Sequence, residues 1–181
     1  MWNSLSTKKI LALANLITMG RIALCLPLII AIIDREFFLI WIIILLSAAS
    51  DIADGFLARS AGGGSKLGAF LDPMADKIFI SVLLVWLCIE GILPKWSLLI
   101  LMTREIIVTL WRTKKEDGAP ASQIGKYKTI FQFTSVILLI IPFSINDPFF
   151  EILTTSLGSI FFYFSLLLAI ISGVNYIFPK K

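Results

Sequence analysis

Six apolar stretches follow one another along this chain with only short polar connections between them. They run over Leu16–Ile33, from Phe37 to Ser50 and on into a polar segment, and over Leu67–Leu93, Trp96–Trp111, Thr129–Ile145 and Ile152–Phe178. Each approaches the ~20 residues a helix needs to cross a ~30 Å hydrocarbon core. Lipid offers no partner to backbone N–H and C=O groups, so such stretches fold as helices, which satisfy themselves. The expectation is an all-α integral membrane protein with six transmembrane helices, over about 16–33, 37–59, 67–93, 96–113, 126–145 and 152–178. A juxtamembrane segment, 1–15, precedes them, and the whole of 1–181 reads as one membrane domain. With 58% hydrophobic and 15% charged residues, the chain has no room for a separate soluble domain of any size, since soluble domains carry roughly 25% charged residues. No cleavable signal is expected at the N-terminus.

Charge placement orients the spans. Six crossings put both termini on one side, and that side collects Lys8, Lys9, Arg21, Arg59, Lys66, Arg112, Lys114, Lys115, Lys126, Lys128, Lys180 and Lys181. The other side keeps Arg35 and Lys95, beside Asp34, Glu36, Glu90, Asp147 and Glu151. Basic loops stay inside, so the termini and the 60–66 and 112–128 connections should face the cytoplasm. Trp2, Trp41, Trp86, Trp96 and Trp111 read as interface anchors or lipid-facing packing.

Histidine is absent, which excludes every His-based triad, base or metal site. Cys25 and Cys88 sit alone in apolar runs and lack zinc spacing, so they read as buried structural thiols. The chemistry is left to four acids. Asp51 and Asp54 are three residues apart at the end of the second stretch; Asp72 and Asp76 are four apart at the start of the third. On helices each pair shares a face, and antiparallel neighbours joined through Ser60–Lys66 can bring all four to one depth. The residues from Phe37 to Ser50 supply about 21 Å of helix at 1.5 Å per residue, which places Asp51 within the inner leaflet.

Four such carboxylates repel one another and lose hydration, so they need cations beside them. Arg59, Lys66 and Lys77 could supply part of that charge. Oxygen ligands without His or Cys favour a hard divalent ion, Mg²⁺, Mn²⁺ or Ca²⁺, and two such ions would form a clamp for phosphoryl-type transfer. Gly55 and Gly68 flank the acids, where a missing side chain lets a ligand approach the backbone.

The segment reads Asp51-x2-Asp54-Gly55-x2-Ala58-Arg59-x8-Gly68-x3-Asp72-x3-Asp76. It resembles the signature of the CDP-alcohol phosphotransferases, with every defining position filled. That resemblance implies six membrane helices around a cytoplasm-facing polar active-site cavity. It also implies displacement of CMP from a CDP-linked donor by an acceptor hydroxyl, with two divalent metals, Mg²⁺ or Mn²⁺. By the same resemblance Asp51, Asp54, Asp72 and Asp76 are the metal ligands and Asp76 is also the catalytic base. Gly55, Ala58, Arg59, Ser65 and Gly68, with Asn15 and Thr18, belong to the nucleotide and donor site.

The run Gly68-Ala69-Phe70-Leu71-Asp72-Pro73-Met74-Ala75-Asp76-Lys77 is similar to the branch of that family that forms phosphatidylglycerol phosphate. So are Asn15-x2-Thr18-x2-Arg21, Thr103-Arg104-Glu105 and Gly125-Lys126-Tyr127-Lys128-Thr129. The implied donor is CDP-diacylglycerol and the implied acceptor sn-glycerol 3-phosphate. Arg104, Lys126, Lys128 and Arg21 are then candidates for the acceptor phosphate, because Arg and Lys are its natural binders. Arg104 and Glu105 could instead serve as structural ion-pair partners in the bundle; adjacent residues point in different directions on a helix, so a direct pair between the two is not expected. Membrane lipid is an expected partner and nucleic acid is not; a homodimer is among the assemblies left open. The competing readings keep the chemistry with another acceptor (phosphatidylglycerol to give cardiolipin, an inositol phosphate, or serine), or make the aspartates the selectivity site of a divalent-cation carrier.

Overall fold

The structure is a computed structural model that describes residues 2–60, 66–114, 123–145 and 147–177. Its elements are helical: α1 (Trp2–Ala23), α2 (Cys25–Ile33), α3 (Phe37–Ser60), α4 (Lys66–Ile89), α5 (Lys95–Lys114), α6 (Gln123–Ile140), a 3-10 turn at Ile141–Phe143, and α7 (Pro148–Ile177). The stretch expected to precede the first span is itself helical, because α1 begins at Trp2 and runs through it.

Local chemistry explains the breaks. Pro27 has no N–H to return to the carbonyl of Ala23, and the chain parts there into α1 and α2. The bonds Leu24 N–H to Gly20 O, 2.9 Å, and Leu28 N–H to Leu24 O, 3.1 Å, keep the two pieces in one path. Residues Lys9–Ile33 thus form a single apolar stretch of span length. At its end Glu36 N–H bonds Ala31 O at 2.9 Å and Arg35 N–H bonds Ile32 O at 3.3 Å. This pair of bonds closes a helix through a left-handed residue, here Arg35 at φ 56°. The same closure ends α4: Ile92 N–H bonds Leu87 O at 3.0 Å, and the left-handed residue is Gly91 at φ 79°. Gly91 brings α4 to its end at Ile89, short of the span end expected near residue 93. The start of α7 is capped by Asp147, whose Oδ1 accepts from the N–H groups of Phe149 and Phe150 at 2.9 and 3.2 Å. Pro148 follows at the first helical position, where its missing N–H costs nothing.

Among the described residues four helical stretches are long and apolar enough to cross a membrane: Lys9–Ile33, Phe37–Ser60, Gln123–Phe143 and Pro148–Asn175. They define a membrane protein. The other two long helices are more charged. Every span-length stretch of α4 includes Asp72, Asp76 and Lys77, and every one of α5 includes Arg104, Glu105 and Arg112. The expected six crossings therefore depend on two helices that carry charged side chains, α4 in its first half and α5 along its length.

The chain divides into two compact units, Met1–Leu83 and Leu84–Lys181. In the first, α1 and α2 pack on α3, with Leu28, Ala31 and Ile40 fully buried. Leu26, Ile30, Ile33 and Phe38 point outward, as suits side chains facing acyl chains rather than water.

In the second unit α6 and α7 pack against one another along much of their length. Gly158 permits this contact: a Cβ there would stand 2.8 Å from Leu139 Cγ. Ser135 Oγ donates to Gly158 O at 2.8 Å across the same contact, the small-residue packing that membrane helices favour. Trp86, expected at an interface or facing lipid, is instead buried, with its ring 4.9 Å from that of Phe143 and its N–H on Glu90. A partner for the indole N–H four residues along the chain removes the need for a headgroup at that position. Trp96 is exposed and stacks on Tyr163, and Trp41 is half-buried. The side chains of Trp2 and Trp111 lie outside the described residues. Cys25 and Cys88 are buried free thiols.

Candidate active site

The acids of α3 and α4 meet on α1. Arg21 of α1 is 1% exposed, and its guanidinium is ringed by carboxylates. Nη1 donates to Asp76 Oδ1 at 2.5 Å and lies 3.2 Å from Asp51 Oδ1; Nη2 donates to Asp54 Oδ2 at 2.7 Å. Nε donates to Ser50 Oγ at 3.1 Å, and Ser50 Oγ in turn donates to Ser47 O. One turn earlier on α1, Thr18 Oγ1 stands 2.8 Å from Asp72 Oδ1, 3.0 Å from Asp54 Oδ2 and 3.1 Å from Ala14 O. Arg21 and Thr18 are three residues apart, so they share the face of α1 that meets the acids.

The spacing of the acids does the rest. Asp54 is the buried member of its pair, while Asp51 is 56% exposed. Asp76 is 41% exposed, so the cluster has a closed side at Arg21, Thr18 and Asp54 and an open side at Asp51 and Asp76. Pro73 lies between the two acids of α4 and removes a backbone hydrogen bond there.

The site is rich in oxygen and poor in protons. A hydroxyl has one hydrogen, yet Thr18 Oγ1 faces three acceptors. Four carboxylates without histidine or thiolate are the donor set of a hard divalent cation. Among the described residues no group of three acids is arranged to hold a metal ion; three of the four are turned onto the guanidinium, which stands where positive charge is needed. The residues fit a divalent ion in kind, with Arg21 as the resident cation.

The remaining expected residues divide. Gly68 is buried and Asn15 half-buried. Arg59 is exposed, and its Nη1 lies 3.4 Å from where a Gly55 Cβ would stand. The space left by the absent side chain of Gly55 is thus filled by an arginine one turn along. Ala58 is half-buried beside it, and Ser65 lies outside the described residues.

The candidate acceptor-phosphate cations are spread over several roles. Arg21 is held by the aspartates. In the second unit Arg104 donates from Nε to Ala169 O at 2.9 Å, from Nη1 to Glu105 Oε1 at 2.7 Å, and from Nη2 to Ser172 Oγ. Lys128 Nζ meets the same Glu105 oxygen at 2.6 Å and is buried. The direct Arg104–Glu105 pair corrects the expectation that these neighbours do not meet: both side chains are long and flexible enough to reach one another from adjacent positions. Gly173 makes room for this, since a Cβ there would lie 3.3 Å from Arg104 Cγ. Spacing gives no hint of Ser172 as a partner, because it stands 68 residues from Arg104. Lys126 is exposed.

Four aspartates from two helices are thus gathered on a third in a protein with span-length apolar helices. The chain belongs to the CDP-alcohol phosphatidyltransferase family, whose sequence profile matches residues 11–171. It is 34% identical over 139 residues to the probable phosphatidylglycerophosphate synthase of Mycobacterium tuberculosis (strain ATCC 25618 / H37Rv), a match that covers 76% of this chain and 63% of that protein. It is 30% identical over 179 residues to CDP-diacylglycerol–glycerol-3-phosphate 3-phosphatidyltransferase 2 of Arabidopsis thaliana, covering 86% of this chain and 74% of the relative. It is 32% identical over 191 residues to a CMP-forming cardiolipin synthase of Oryza sativa subsp. japonica, covering 93% of this chain and 57% of that protein. The chain therefore spans less than two thirds of the length of the mycobacterial and rice relatives.

Proposed function

We propose that this chain is a phospholipid-biosynthetic transferase that moves the phosphatidyl group of CDP-diacylglycerol to sn-glycerol 3-phosphate, releasing CMP and phosphatidylglycerol phosphate. The observation that carries the reading is the gathering of Asp51, Asp54 and Asp76 around one cationic centre, with Asp72 joined to Asp54 through Thr18. The name of the Arabidopsis relative supports the same donor and acceptor, and that of the mycobacterial relative the same product.

Asp51, Asp54, Asp72 and Asp76 would hold two divalent ions, Mg²⁺ or Mn²⁺. Such ions supply electron withdrawal at the diphosphate, which makes phosphorus more electrophilic and CMP a better leaving group. Asp76, on the open side of the cluster, takes the proton of the acceptor hydroxyl. That oxygen forms the new bond to the phosphatidyl phosphorus as the bond to CMP breaks. Asn15, Thr18, Gly55, Ala58, Arg59 and Gly68 belong to the donor site in this reading, and the family resemblance adds Ser65, which lies outside the described residues. Lys126, exposed on α6, is the candidate for the acceptor phosphate in this reading. Six crossings with the termini and the site on the cytoplasmic side complete the reading, supported by the asymmetry of lysine and arginine along the chain.

A second acceptor is favoured by one observation, the similarity to the rice cardiolipin synthase along 93% of this chain. Purified protein supplied with CDP-diacylglycerol and Mg²⁺ or Mn²⁺ separates the two. CMP release that depends on glycerol 3-phosphate is expected. Release that needs phosphatidylglycerol instead would replace the acceptor, and release with no alcohol dependence would remove the transferase reading.

A further inference from the structure

Arg21 has no task in the chemistry just described. Its donors are spent on the carboxylates that the proposed metal site requires, at 2.5 Å to Asp76 and 2.7 Å to Asp54, with Asp51 at 3.2 Å. It is almost wholly buried, and Ser50 holds its Nε so that the fork opens toward the acids. A guanidinium suits this position better than an ammonium, because its planar fork reaches several carboxylates at once and it stays charged when buried. The oxygens it holds cannot be given in full to a divalent ion at the same time.

We propose that Arg21 is the internal counter-cation of the aspartate cluster: it holds Asp51, Asp54 and Asp76 together when no divalent ion is present, and it competes with the ion for their oxygens. This rests on the metal reading above. Without Arg21, mutual repulsion would drive the acids apart in a poorly hydrated site. With it, the helices α1, α3 and α4 are assembled before any ion arrives. Its withdrawal from the carboxylates is then a cost that lowers metal affinity. Arg21 is in this sense a positioning residue for the metal ligands, and a phosphate-binding role is not needed to explain its place.

The test compares wild type, Arg21→Gln and Arg21→Lys as full chains in detergent, with no lipid substrate. Free Mn²⁺ is followed by its EPR signal, and thermal unfolding is recorded with and without Mn²⁺. Loss of a competing charge-assisted contact should make Arg21→Gln bind Mn²⁺ roughly tenfold more tightly or better. Its metal-free form should unfold at a lower temperature than wild type, and Mn²⁺ should raise that temperature by more. Arg21→Lys keeps the charge without the fork and should fall between the two. Isolation of Arg21→Gln only in the presence of Mn²⁺ supports the proposal directly. Equal or weaker Mn²⁺ binding by Arg21→Gln overturns it. If that variant does not fold under either condition, Arg21→Lys decides, and an affinity no better than wild type overturns the proposal. Failure of wild type and variants alike to bind Mn²⁺ sinks the metal reading and this role with it, whereas equal binding by all three sinks this role alone.

Discussion

Arg21 on α1 and Asp54 on α3 form a buried ion pair, Nη2 to Oδ2 at 2.7 Å, with side chains 1% and 4% exposed. Removing one partner of such a pair leaves charge in a poorly solvated place. Here Asp51 and Asp76 remain to receive the guanidinium, which softens the loss. Asp54→Ala should therefore lower the stability of the metal-free protein by about 1–3 kcal/mol, the scale of a charge-assisted hydrogen bond. Thermal unfolding in detergent with chelator present checks this. An unchanged midpoint would mean that the pair contributes nothing net.

Asp76 is the expected base and stands on the open side of the cluster, so Asp76→Asn should fold. Its turnover should drop by roughly 10²–10⁴, the usual worth of a positioned base. Asp72→Asn should lose both Mn²⁺ affinity and turnover, because an amide replaces an anionic ligand. CMP release and Mn²⁺ titration measure the two effects. Near-normal turnover in folded Asp76→Asn would withdraw the base assignment.

Arg104 and Lys126 should part company. Arg104 holds Ala169 O, Ser172 and Glu105 with its three nitrogens. Arg104→Ala should lower the unfolding midpoint by several degrees, since 1 kcal/mol corresponds to roughly 2–4 °C at this size. Lys126 is exposed, and Lys126→Ala should leave the midpoint near wild type while raising the KM for glycerol 3-phosphate about tenfold. A rise in the KM for CDP-diacylglycerol instead would assign Lys126 to the donor.

Two glycines test the backbone and the packing. At Gly91 nothing lies within 4 Å of an added Cβ, so Gly91→Ala probes the left-handed φ of 79° alone and should cost about 1–2 kcal/mol. Gly158→Val pushes a branched side chain into Leu139 and should cost about 1–3 kcal/mol or more. Thermal midpoints of both variants decide. A neutral Gly158→Val would show that α6 and α7 can separate freely.

Orientation is open to labelling in intact cells. Cys25 and Cys88 are buried and give a low background. A membrane-impermeant thiol reagent should reach Asn146→Cys from outside and should not reach Gly64→Cys. The reverse pattern would invert the proposed topology.

What can be read in the sequence follows from periodicity and solvation. The apolar stretches have to be helical because lipid leaves a backbone no other way to satisfy itself. The pairs Asp51/Asp54 and Asp72/Asp76 have to share faces because three and four residues make about one helical turn. The family signature adds the chemistry that such acids serve. Only the tertiary structure decides what the acids meet. Arg21 lies 33 residues from Asp54 and 55 from Asp76, and charge type alone groups it with the phosphate ligands; helix packing puts it among the aspartates. Arg104 likewise finds Glu105 beside it and Ser172 68 residues away, an arrangement permitted by the missing side chain of Gly173. Periodicity sets which residues share one helix face. Which face turns toward which neighbour, and at what depth, is set by packing the whole set of side chains at once, and long flexible cations take their partners from that outcome.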